Sequence, residues 1–362
     1  MSVYVAATRQ NDGKTIVSLG LLSVLKKRVK RLGYMKPVGQ QYRVVEGKKI
    51  DKDAVLMKQI FGFKNNLPDM SPIAIPKGFT ENYILRGNHS TLANKVKRCH
   101  DRLKKSCDFL LVEGTGHAGV GSVFDMSNAD VAKILKVKVI IVSCGGIGRP
   151  IDEIMLNHAK FDLKGVEVLG VIVNKVRKSK YTKINRLIRK GLAQKGVEVL
   201  GVIPFEEVLS NPTVSELLED LKGKLICGQG GLDRVVENFV IGDVVAHQAL
   251  DYFSSGTLLI TPGNREDVIF AALSGWALGV TGKYSISGII ATYGKKPDKK
   301  IIDAIDRANI PLILVKEDSF STAREINNMI FKLRAEDKPK IKKTEDLIDK
   351  YVDVGRILKM LK

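Results

Sequence analysis

Short runs of β-branched and apolar residues alternate with helix-period stretches along the first 215 positions. Residues 3–7, 31–36, 108–113, 138–143, 167–174 and 198–203 read as strands, and several of them are apolar at successive positions. A strand that is apolar on both faces must be covered on both. With helical stretches between them, such strands predict an α/β fold built as a doubly wound parallel sheet. A second, smaller α/β region is predicted over residues 216–335. Helices are expected over 243–253, 265–278 and 321–333, and strands over 257–260, 287–291 and 312–315. Asn211-Pro212 and the four glycines of residues 222–231 predict the seam between the two. Residues 336–343 are charged and read as a linker. Leu347, Ile348, Tyr351, Val354, Leu358 and Leu361 then recur at helical spacing, predicting an appended amphipathic helix capped at Thr344. It is expected to pack on its own domain or on a second subunit. The chain thus divides into 1–215, 216–335 and 336–362.

Composition narrows the class. A chain of 362 residues exceeds one ordinary core, consistent with two domains. Its 44% hydrophobic and 27% charged residues suit a water-soluble globular protein, and no apolar run approaches the about 20 residues of a membrane span. Met1 leads straight into a strand without a basic, apolar leader, so a cytoplasmic location is expected. Lys and Arg exceed Asp and Glu by 59 to 39, a formal charge of +20, which raises the question of nucleic acid. The basic residues are spread over predicted helix faces, and the 6% of aromatics do not interleave with them. Specific nucleic-acid binding is therefore not expected. Cys99, Cys107, Cys144 and Cys227 form no C-x-x-C pair, which argues against zinc and a disulfide framework.

The candidate chemistry begins after the first strand. Thr8-Arg9-Gln10-Asn11-Asp12-Gly13-Lys14-Thr15 joins strand to helix and ends in the Gly-Lys-Thr of a phosphate-binding loop, with Thr8 where G-x-x-x-x-G-K-[ST] has its first glycine. Loop amides would cradle phosphate, Lys14 would meet the terminal phosphates, and the Thr15 hydroxyl would join a magnesium shell. Lys36-Pro37-Val38-Gly39 follows the second strand. Asp51-Lys52-Asp53-Ala54 opens a helix, where its carboxylates cap the helix or reach a metal. Glu113 ends an internal strand beside Gly114 and Gly116, a placement suited to magnesium. His117, the Gly145–Arg149 turn and Asn264-Arg265 have plainer readings as an exposed loop residue, a βα turn and a helix cap.

In this order, the Gly-Lys-Thr loop, Lys36-Pro37-Val38, the Asp53-Ala54 helix start, Val112-Glu113-Gly114-x-Gly116 and Val173-Asn174 resemble the dethiobiotin synthetase family. They resemble still more closely the amino-terminal region of long phosphotransacetylases. Thr261-Pro262-Gly263-Asn264-Arg265-Glu266-Asp267 resembles the DRTGG domain that follows in those proteins, with Asn264 where aspartate is usual. The resemblance covers residues 1–335.

It implies that Thr8, Asn11, Asp12, Gly13, Lys14 and Thr15 hold ATP, that Asn174 meets adenine, and that Thr15, Asp53 and Glu113 share Mg2+. Lys14 and Lys36 would be the catalytic pair, Lys36 facing a small carboxylate or carbamate. The sequence departs from the synthetases at Glu113-Gly114-Thr115-Gly116-His117 and at Asn174-Lys175. No acyltransferase domain follows, so phosphate acetyl transfer is not expected of this chain. Two readings stay open: a nucleotide-binding regulator that couples ATP to a metabolite- or partner-sensing second domain, or an ATP-dependent carboxylate-activating ligase. A homo-oligomer is implied in either case.

Overall fold

A computed structural model describes residues 1–277, 286–329 and 333–362. These form two compact units, Met1–Phe205 with Leu333–Lys362, and Glu206–Lys332.

The first unit is built on six parallel strands in the spatial order Val199–Pro204, Val168–Val176, Lys138–Cys144, Ser2–Ala7, Phe109–Glu113 and Leu32–Met35. Parallel neighbours need crossover helices, which cover the sheet and explain why Phe109–Glu113 is buried at all its residues. After Phe109–Glu113 the chain crosses over Ser2–Ala7 to reach Lys138–Cys144, so the strand order reverses at the first strand. Ligands of such sheets bind beyond the strand carboxyl ends at that reversal. The loop after Ala7 occupies this place.

Between residues 36 and 90 the backbone is more elaborate than its periodicity predicts. Val38–Gly39 pairs with Ile73–Ala74, and Tyr42–Val45 forms a hairpin with Lys48–Asp51. Glu46 and Gly47 turn this hairpin with φ of 49° and 73°. Asp51 caps the helix Lys52–Phe61, its Oδ1 accepting from the Asp53 amide at 2.9 Å.

The predicted linker at 336–343 is instead largely helical. A helix runs Lys338–Tyr351, with a proline in its first turn, where a missing amide costs no hydrogen bond. Thr344 lies inside it and bonds the Lys340 carbonyl at 2.8 Å. The helix stops where Val352 bridges Gly201 and the Asp353 amide donates to Leu200, and a second helix, Val354–Met360, follows. Lys338–Tyr351 packs on Lys14–Leu25 at Gly20, where a Cβ would stand 2.2 Å from Ile348 Cγ1.

The second unit carries five strands ordered Lys224–Cys227, Leu312–Leu314, Ile286–Thr292, Thr257–Pro262 and Asn238–Ile241, all parallel except the antiparallel edge Lys224–Cys227. One core holds Leu259, Ile269, Ile289, Ile301 and Ile305, and a second holds Val214, Leu217, Ile290, Ile313 and Ile326. The segment 222–231, expected as a seam, supplies a strand of this sheet. The helix expected over 243–253 is only Ala246–Ala249 followed by a single tight turn, Leu250–Tyr252. Glu266–Ala277 and Ser319–Asn328 match predicted helices; Leu278 and residues 330–332 lie outside the described residues.

Candidate functional site

The loop between Ala7 and Lys14 is held by side chains rather than by a leading glycine. The Thr8 amide donates to Val142 O at 2.9 Å, and its hydroxyl donates to Asp12 Oδ2 at 2.6 Å. The Arg9 amide reaches the same carboxylate oxygen at 2.8 Å, and the Cys144 thiol donates to Asp12 Oδ1 at 3.0 Å. Buried Asp12 thus ties the loop's start to its end, and burial together with this carboxylate pushes the Cys144 thiol up to about 12. Asn11 and Gly13 adopt φ of 66° and 92°. At Gly13 a Cβ would lie 2.3 Å from Asn174 Nδ2. Asn174 Nδ2 donates to the Asp12 carbonyl at 3.0 Å, and Lys175 Nζ donates to that of Asn11 at 2.7 Å. Asn174, read from the resemblance as an adenine contact, is therefore placed against the loop backbone. Among the described residues, the amides of residues 11–15 have no protein acceptor. They form a set of open donors at a helix N-terminus, which is what an oxyanion requires.

Beside the loop, residues from four segments converge. Lys36 Nζ donates to Asp53 Oδ2 and to Glu113 Oε1, both at 2.8 Å. Thr15 donates to the same Glu113 oxygen at 2.9 Å, and Tyr34 donates to the other at 3.1 Å. Glu113 is fully buried, and Lys36, Asp53 and Lys14 are 4%, 5% and 8% exposed. Burial works to lower the Lys36 pKa, but Asp53 and Glu113 outweigh it and hold the ammonium well above its ordinary range. Lys14 has no such pair of partners. Burial, and then the charge of Lys36, push it down to about 8. The Tyr34 hydroxyl is raised by burial and then by Glu113.

The hydroxyl of Thr15 and the carboxylates of Asp53 and Glu113 are hard oxygen donors of the kind Mg2+ takes together with phosphate oxygens and water. No three His, Cys, Asp or Glu side chains among the described residues are grouped to hold a metal by themselves. The donor set fits a magnesium ion that arrives with its own oxygen ligands.

The structure also brings in residues that the motifs do not announce. Asn128 accepts from the Tyr4 hydroxyl at 2.8 Å and from the Thr115 amide at 3.0 Å, and it donates to the carbonyls of Thr115 and His117 at 2.8 and 2.6 Å. It fixes the turn after Glu113. Its only sequence signal is Ser127 in a capping box just before it. His117 accepts from the Gly119 amide at 3.2 Å in an exposed turn. Arg149 pairs with Glu153 at 2.7 Å, and Glu153 also meets Arg9 at 3.0 Å. Arg265 is tied to the Gly242 and Val244 carbonyls and to Asp267.

Phosphate acetyltransferases of Nitratidesulfovibrio vulgaris and Synechocystis are each 26% identical to this chain. The alignments cover 98% and 100% of this chain, but 51% and 52% of the relatives. The chain spans about half the length of the curated relatives it matches, corresponding to their amino-terminal region. Among solved structures, MinD complexed with Mg-ADP from Pyrococcus horikoshii is 18% identical, covering 57% of this chain and 82% of its own at a TM-score of 0.36. The CBS and DRTGG domains of the regulatory region of Clostridium perfringens pyrophosphatase are 20% identical, covering 39% and 60% at a TM-score of 0.27. No helix among the described residues is long and apolar enough to cross a membrane. With a model described as an AAA domain matching residues 1–213 and one described as a DRTGG domain matching residues 216–329, the chain belongs to the AAA domain family and carries a DRTGG domain after it.

Proposed function

We propose that the first unit binds ATP with Mg2+ and that the second domain turns this binding into a response to a metabolite or partner. The observation that carries the reading is the convergence of Lys14 and Thr15 on buried Lys36, Asp53 and Glu113 beside a row of amides without protein acceptors. In this reading residues 11–15 cradle the β- and γ-phosphates, and Thr8 with Asp12 keeps the loop in shape. Asn174 and Lys175 support the loop from below, and Asn174 borders the nucleotide base. Thr15, Asp53 and Glu113 would hold Mg2+, which neutralises phosphate charge when bound. Lys14 places a positive charge at the terminal phosphates in a site dry enough for that charge to count. The long phosphate acetyltransferases that share this region motivate the regulatory assignment, and no acetyl transfer is assigned to this chain.

Calorimetric titration with ATP and Mg2+ tests the reading. Saturable heat with a micromolar to millimolar dissociation constant, lost in Lys14→Ala, is expected. No heat over that range would overturn it.

A second reading is favoured by Lys36, whose charged, buried ammonium suits a small carboxylate or carbamate next to the γ-phosphate. It makes the protein an ATP-dependent carboxylate-activating ligase of the dethiobiotin synthetase type, in which positioning and charge neutralisation drive phosphoryl transfer. Phosphate release that depends on an added small acid, and that Lys36→Met abolishes while ATP still binds, is its signature. A regulator would bind ATP without it.

A further inference from the structure

Resting on the nucleotide reading above, we propose that Lys36 is a built-in cation that keeps free divalent metal out of the Asp53–Glu113 pair and yields only when the metal arrives with a triphosphate. The ammonium lies 2.8 Å from a carboxylate oxygen of each residue, so both carboxylates that would hold the metal are already engaged by a cation of the chain itself. Thr15, the third oxygen donor, already contacts Glu113 and has no need to leave. Lys36 is the group in the way.

Charge decides when it moves. Lys14 and Lys36 stand with the carboxylates Asp53 and Glu113, all four under a tenth exposed, and buried Asp51 and Asp12 add their negative charge near Lys36 and Lys14. A divalent ion entering alone would strip Lys36 of both partners and leave its buried ammonium next to a like charge with no new acceptor, which is unfavourable at low dielectric. A triphosphate carries about four negative charges, so the metal and nucleotide together bring net negative charge against the open amides of residues 11–15. Phosphate oxygens also give the displaced ammonium new acceptors. Metal and nucleotide binding are therefore one coupled event, and the free metal pool does not load the site.

Equilibrium dialysis with Mn2+ as the probe tests this, with and without a non-hydrolysable ATP analogue. Wild-type protein is expected to retain Mn2+ only when the analogue is present. Lys36→Met is expected to retain Mn2+ alone at least about tenfold more tightly than wild type, since a unit charge next to a divalent ion is removed at an effective dielectric of about 20. Lys36→Gln, which keeps a hydrogen-bond donor for the carboxylates, serves the same purpose should Lys36→Met not fold. Wild-type protein that binds Mn2+ as tightly alone as with the analogue overturns the proposal, and so does a folded Lys36 variant with no gain for Mn2+ alone. Failure of wild type to retain Mn2+ even with the analogue would instead overturn the nucleotide reading itself.

Discussion

Gly20 sits in the middle of the helix that follows the phosphate-binding loop, and replacing it with alanine sets two effects against each other. In an isolated helix alanine is favoured over glycine by about 1 kcal/mol. Here the new Cβ would stand 2.2 Å from Ile348 Cγ1, 3.1 Å from Ile348 Cβ and 3.0 Å from the Thr344 carbonyl oxygen. Carbon atoms prefer separations of about 3.5–4.0 Å, so the Lys338–Tyr351 helix must shift or Ile348 must leave its rotamer. Overpacking of this kind costs about 1–3 kcal/mol, and a net loss of about 1 kcal/mol is expected. Ile348, 1% exposed, supplies the control. Ile348→Ala alone should cost about 2–4 kcal/mol through lost burial and the cavity left behind. In that background the obstructing Cγ1 is gone and only the 3.0 and 3.1 Å approaches to the Thr344 carbonyl and the position-348 Cβ remain, so Gly20→Ala should become close to neutral. The coupling between the two changes is then about 1 kcal/mol, within the range for residues in contact. Because the chain has two units, global unfolding is a poor readout, and amide exchange of residues 338–351 is the assay. Those amides should exchange several-fold faster in Gly20→Ala, and the effect of the substitution should largely vanish in Ile348→Ala. Wild-type protection in Gly20→Ala, or strict additivity of the two changes, would refute the packing argument.

Two further outcomes follow from the loop. Lys14, pushed down to about 8, loses its proton in the free protein as pH rises through that value. Phosphate oxygens next to it would restore the proton, so ATP binding takes up a proton above about pH 8, and affinity falls by about tenfold from pH ~7 to ~9. Titrations in buffers of different ionisation enthalpy check this, and a flat profile with no proton uptake counts against it. Gly13→Ala combines a φ of 92° with a Cβ placed 2.3 Å from Asn174 Nδ2. The Asn174 bond to the Asp12 carbonyl should break and ATP affinity should drop by at least about tenfold, a loss of about 1.4 kcal/mol at the phosphates, while the far-UV circular dichroism spectrum stays as in wild type.

The six core strands of the first unit were legible because parallel strands are buried on both faces and leave continuous apolar runs, as at Phe109–Glu113. Leu32–Met35 was legible for the same reason. The segment between them was not. The largely buried pair Val38–Gly39 with Ile73–Ala74 is only two residues long on each side, and the hairpin Tyr42–Val45 with Lys48–Asp51 is short and partly solvated, so neither has an apolar period to read. The helix Lys338–Tyr351 was seen only in its second half, because its first turns carry lysines and Pro339, and one of those lysines, Lys340, is buried without being apolar. Gly20, the residue on which that helix rests, carries no signal in a sequence, since a glycine chosen for close approach looks like any other. Lys14, Thr15, Lys36, Asp53 and Glu113 could be named from strand ends and short motifs, each a local signature. The role of Asn128 and the use of the Asn174 amide against the loop could not, because both are contacts between segments distant along the chain.

The Gly13-Lys14-Thr15 loop, the strand before it and the helix after it are local features, since apolar period and turn chemistry are written over a few adjacent residues. That Lys36 lies between Asp53 and Glu113, with all three side chains buried, depends on the folding of the whole sheet. Residues 36, 53 and 113 stand on separate segments, and the electrostatic balance among them exists only once the sheet brings those segments together.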